Sequence, residues 1–207
     1  MTPNLNVLVI ESERHAADET IGRLTKAGHS VTRCFEPGRP AFPCAALQAD
    51  ATCPLDAAPV DVVLDVRPRP RSQPAPGEVG IGCAIRQHVP LVVAGSDVLN
   101  PFEPFAAEFV DRAGDVVGAC ERVARAPLPA HTEAAHAAMR DVLIRHDLDP
   151  WAASVAVTRE QGRLVVTATN RTDLSRSVLG MAGVRMVAAI REIDHHSAGI
   201  DVRFVKE

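Results

Sequence analysis

Apolar residues in the first half of the chain come in short, nearly continuous runs: LNVLVI at 5–10, VDVVLD at 60–65 and PLVVA at 90–94. Such runs, without polar alternation, predict strands buried on both faces, as in a parallel sheet. Shorter strands are predicted over 29–34, around Val31, and over 108–110. Helical spacing lies between them. Residues 16–27 turn Ile21 and Leu24 inward and end at Gly28, a good C-cap. Residues 81–88 place Ile81 and Ile85 on one face, and 115–126 carry the stripe Val116, Val117, Cys120 and Val123. A short helix over 45–51 fits within the Pro-rich stretch 36–59. Strand and helix alternate, and right-handed crossovers then give an α/β fold: a five-stranded parallel, flavodoxin-like sheet over 1–126, with helices on both faces.

The pattern changes after APLPA at 126–130, which reads as a linker. Thr132 is placed to cap a helix to about 146, with Ala135, Met139, Val142 and Leu143 inward. Two strands, 154–158 and 164–169, flank Gln161-Gly162 and predict a hairpin. A long helix follows from Asp173 to about 195, and then a strand over 200–205. The order α-β-β-α-β over 131–207 predicts a small α+β domain with one helical face. Its long helix carries more apolar residues than three strands can cover. Leu179, Met186 and Ile190 are therefore candidates for an outward strip that pairs two copies into a homodimer.

Composition narrows the classes. With a formal net charge of −4, no Tyr and one Trp, the chain lacks a basic arm for phosphates and a set of stacking aromatics. A nucleic-acid partner is not expected. No stretch is long and apolar enough for a membrane span, and the N-terminus reads as a strand rather than a signal peptide. Five cysteines, an odd number without CxxC, argue against a zinc knuckle or a disulfide framework, and for a reducing, cytoplasmic setting. Cys120 lies on an apolar stripe and reads as core filler. His131 and His136, and His195 and His196, lack the spacing of a metal pair and read as surface histidines. Gly77, Gly80 and Gly82 match no nucleotide-binding loop.

The candidate chemistry lies at strand ends. Glu11 and Glu13 follow the first strand, and Asp65 ends the run at 60–65. At the carboxyl edge of a parallel sheet these three carboxylates can supply hard oxygens to Mg²⁺. Asp65 also reads as a turn cap before the Arg/Pro run at 67–80, itself either a solvated loop or a polyproline ligand.

Residues 5–126 resemble the receiver domain of bacterial two-component response regulators. The resemblance matches Glu11, Ser12 and Glu13 to the acidic cluster and Asp65 to the phosphoacceptor. It matches Ala94-Gly95-Ser96 to the hydroxyl position and Asp111-Arg112 to the Lys-Pro position. It implies Ser96 and Arg112 as a switch region. Ser12 replaces the second metal-binding acid and no Lys lies near Asp111, so the resemblance is to a pseudo-receiver. It implies a non-catalytic regulatory protein acting on a protein partner, with no cofactor. Two alternatives stand beside it: a phosphorylatable, Mg-dependent response regulator, and a metal-dependent small-molecule enzyme using the carboxylate crevice. Residues 131–207 resemble small α/β modules of the BON kind, in element order and in Gly183-Val184.

Overall fold

The computed structural model describes residues 4–35, 44, 46, 52–95, 98–195 and 199–207. The chain divides into two compact units, Met1–Ala124 and Arg125–Glu207.

The first unit is a five-stranded sheet in the order β2-β1-β3-β4-β5, every neighbouring pair parallel. The strands are β1 (Asn6–Glu11), β2 (Ser30–Arg33), β3 (Val62–Arg67), β4 (Leu91–Gly95) and β5 (Ala106–Val110). The order is that of a flavodoxin-like, receiver-like fold. The helices are α1 (Asp18–Lys26), the single turn α2 (Pro54–Ala57), α3 (Val79–Arg86) and α4 (Val116–Arg125). Between β4 and β5 the described residues hold only a 3₁₀ turn, Glu103–Phe105. The helix expected over 45–51 falls on residues that, Ala46 apart, lie outside those described.

Strand geometry divides this core in two, because successive side chains point to opposite faces. Val7, Val9, Val62, Leu64 and Val66 pack with Leu24 of α1 and with Val116, Cys120 and Val123 of α4. Leu8, Ile10, Val63, Leu91 and Val93 pack on the other face with Ile81 and Ala84 of α3. All six residues of β3 are buried, the charged Asp65 and Arg67 along with the four apolar ones. At the carboxyl ends of β3 and β4, Gly95 lies opposite Arg67, and a Cβ there would stand 2.3 Å from the Arg67 carbonyl oxygen. Glycine permits that approach.

The second unit is a three-stranded sheet in the order β6-β7-β8. Strands β6 (Ala153–Glu160) and β7 (Arg163–Asn170) form the expected antiparallel hairpin, and β8 (Ile200–Lys206) runs parallel to β7. Helices α5 (Pro129–Arg145) and α6 (Arg176–Ile193) complete the α-β-β-α-β order. Helix α5 begins three residues before Thr132, because Pro129 suits the first helical position. Helix α6 is capped by Ser175, whose side chain accepts from the Val178 amide, and not by Asp173. Met186 and Ile190 do not form an outward strip. Both are wholly buried, packed in one core with Met139 and Leu143 of α5, while Leu179 is half-buried. The exposed large apolar positions of α6 are Met181, Val184 and Ile193.

His131 is not at the surface. It is buried, and its Nε2 lies 3.1 Å from the carboxylate of Asp194, the C-cap of α6. Arg159 of β6 approaches the same carboxylate at 3.7 Å. This ion cluster ties both helices of the unit to its sheet. Among the described residues no helix is long and apolar enough to cross a membrane.

Leu64 contributes to the sheet's larger core without any exposed surface. Leu64→Ala is expected to cost about 2–5 kcal/mol, and Val184→Ala on the outer face of α6 less than about 0.5 kcal/mol. Urea denaturation of both variants checks this. Equal losses would contradict the assignment of β3 as the central buried strand.

Candidate functional site: a buried arginine-carboxylate cluster

The three carboxylates expected to converge do not share one side of the sheet. Ile10 is the register partner of Asp65, and Glu11 that of Val66. Alternation therefore turns Glu11 toward the α1 side and Asp65 toward the α3 side. Glu11 is buried, and its oxygens accept from the amides of His15 (3.2 Å) and Ala17 (3.1 Å), which fixes the entry into α1. Arg33 of β2 supplies its counter-charge at 3.1 Å. Glu13 lies farther out and is held by Arg69 at 2.9 Å and Arg71 at 3.1 Å. The Arg/Pro segment is thus tied back to the β1–α1 connection by its own arginines. Among the described residues, no three His, Cys, Asp or Glu side chains are grouped so as to hold one metal ion.

Asp65 has 0% exposure, in the middle of the central strand. Two residues on, and so on the same face, Arg67 ends β3 with its side chain equally buried. Its guanidinium is the hub of the site. It lies 3.2 Å from Glu78, donates to Asn100 Oδ1 at 3.2 Å and to the Arg71 carbonyl at 3.0 Å, and stands 4.0 Å from Asp65. The Phe102 ring, 5.7 Å from the guanidinium carbon, covers it with a π face. Glu78 sits immediately before α3 and also accepts from the Ala75 amide at 2.5 Å. Asn100 Oδ1 further accepts from the Phe102 amide at 2.9 Å.

The cluster holds one cation and two acids without water-facing surface, so both acids cannot be charged cheaply. Burial, and next the nearby Glu78 charge, push Asp65 well above the ordinary aspartate value, against a smaller opposing pull from Arg67. Burial also raises Glu78, offset by the Ala75 amide and by Arg67 and Arg71. Arg67 is closer to Glu78 than to Asp65, and neither Asp65 oxygen has a hydrogen-bond partner among the described residues. The consistent charge assignment is an Arg67–Glu78 ion pair beside a neutral Asp65.

Of the two residues of the expected switch region, only Arg112 is among the described residues. Ser96 lies outside the described residues. Arg112 is exposed and donates to the Ala16 carbonyl at 3.2 Å, on the β1–α1 connection. Arg67, Glu78 and Asn100 were not singled out by sequence reasoning. Only Arg67 carried a local signal: it follows Asp65 by the strand period of two.

The raised Asp65 value has a definite sign for stability. Above the unfolded value near 3.8 the folded state holds a proton that the unfolded state has lost, so folding stability falls as pH rises through the folded value. Thermal melts between pH 5 and 9 are expected to show this decline in the native chain and a flatter profile in Asp65→Asn. Parallel profiles would show that Asp65 carries no displaced proton.

No family model matches the chain, and comparison with curated proteins and with solved structures finds no significant match.

Proposed function

We propose that the first unit is a pseudo-receiver, a regulatory module that acts by protein contact without accepting a phosphoryl group, and that the second is a BON-like accessory unit. The observation that carries this reading is the enclosure of Asp65 beneath Arg67. A receiver's acceptor must meet both a phosphodonor and a metal at its strand end. Here Glu11 and Glu13 are matched by arginines, and Asp65 is sealed. The charges that a divalent ion would balance are balanced within the chain. Leu99 and Phe105, both more than half exposed on the β4–β5 connection, supply apolar surface of the kind used in protein contacts.

Incubation with acetyl phosphate and Mg²⁺, followed by intact mass measurement, tests the reading. No gain of phosphoryl mass is expected. A near-complete gain of one phosphoryl group, absent in Asp65→Ala, would overturn it in favour of a working response regulator.

A further inference from the structure

The sheet of the second unit ends on a strand whose outer edge is complementary to itself. Strand β8 is the last in the order β6-β7-β8 and pairs with β7 alone among the described strands. The Leu164 amide donates to the Gly199 carbonyl at 2.9 Å, and the Glu207 amide donates to the Asn170 carbonyl at 3.0 Å. Odd-numbered residues of this segment therefore bond to β7. The residues between them turn their N–H and C=O groups the other way. Ile200, Val202 and Phe204 thus present a row of backbone donors and acceptors along the edge.

The side chains divide by the same alternation. Ile200, Val202 and Phe204 pack at the margin of the unit's core and are only half-buried. Asp201 and Arg203 lie on the opposite face of the strand. Asp201 accepts from two Arg163 nitrogens, each at 2.9 Å, and Arg203 lies 3.2 Å from Glu160. Their side chains nonetheless remain 46% and 56% exposed, which leaves each room for a further partner.

We propose that β8 pairs antiparallel with β8 of a second copy, about a two-fold axis at Val202, so that the two sheets become one. This register sets Val202 opposite the partner's Val202, and Ile200 opposite the partner's Phe204. These are the residues whose backbone groups point outward, as hydrogen-bonded antiparallel pairs require. On the core face, apolar side chains then meet apolar ones. On the other face, Asp201 stands opposite the partner's Arg203, at a non-hydrogen-bonded position where side chains approach most closely. The two-fold axis repeats that pair with the roles exchanged. Sliding the register by two residues opposes Asp201 to Asp201 in one direction and Arg203 to Arg203 in the other, which like charges disfavour. The charges thus favour one register over its neighbours, and a second copy of this strand over an arbitrary one. The surface that joins two copies is then the β8 edge, and not a strip of Leu179, Met186 and Ile190 on α6. All of these residues lie in the second unit, so the inference is independent of the pseudo-receiver reading.

Sedimentation of the full chain over a range of micromolar concentrations tests the pairing. The mass is expected to rise from 22.1 kDa toward twice that value. Asp201→Arg and Arg203→Asp each set like charges opposite one another on both sides of the axis, and each is expected to weaken the dimer about tenfold or more. The exchanged variant, Asp201→Arg with Arg203→Asp, is expected to recover most of that loss, although it keeps neither in-chain pair with Arg163 or Glu160. Circular dichroism establishes that each variant is folded. Amide hydrogen exchange gives a second readout that needs no variant. The Ile200, Val202 and Phe204 amides are expected to exchange more slowly as the native chain dimerises, while those of Asp201 and Arg203, already bonded to β7, change little. A chain that stays monomeric at every concentration would overturn the proposal. So would a dimer in which the Ile200, Val202 and Phe204 amides gain no protection, or one that both folded single variants leave unchanged. An exchanged variant no stronger than the single ones would assign the loss to the in-chain pairs and overturn the register.

Discussion

The first unit depends on one constraint: an acid in the middle of its most buried strand. Asp65 cannot be solvated, and its neighbours in register are Ile10 and Val93. A buried arginine two residues on offsets part of that cost, while the second acid brought in before α3 takes the closer place beside it and, with burial, disfavours the charged form of Asp65. Arg67 then recruits Asn100, the Arg71 carbonyl and the Phe102 ring, so the β4–β5 connection and the Arg/Pro segment are both positioned around it. Removing the guanidinium would leave Glu78 charged and enclosed, which makes Arg67 the side chain on which the surrounding loops rely.

The same logic extends outward. Glu11 accepts from amides at the entry into α1 and takes Arg33 as counter-ion, while Glu13 takes Arg69 and Arg71. In a metal-using receiver such acids would be left for the ion. Here they hold loops in place. The receiver-like fold is therefore kept while its acidic residues serve as internal fasteners.

Much of the architecture was legible because the runs at 5–10, 60–65 and 90–94 are too apolar and too short for anything but buried strands. The stripe at 116–123 and the alternation at 164–169 were equally direct. The site was less legible. Strand period alone pairs Asp65 with Arg67, but the prolines that follow suggested that the loop began at Arg67. Glu78 and Asn100 join the cluster from 13 and 35 residues beyond Asp65, counted along the sequence, through tertiary packing that no local pattern encodes. The convergence of Glu11 with Asp65 failed on register, because neighbouring strands place them on opposite faces. Met186 and Ile190 were misplaced because α5 lies beside α6 and doubles the surface that can cover it.

The protonation state of Asp65 is the most direct measure of the central claim. Infrared difference spectra between the native chain and Asp65→Asn, with ¹³C-labelled aspartate at neutral pH, isolate this one carboxyl group. A neutral Asp65 gives a protonated carboxylic acid stretch that the variant lacks. A difference band in the carboxylate region alone, with no protonated acid stretch, would contradict the charge assignment, and with it the view of Asp65 as a sealed, non-accepting acid.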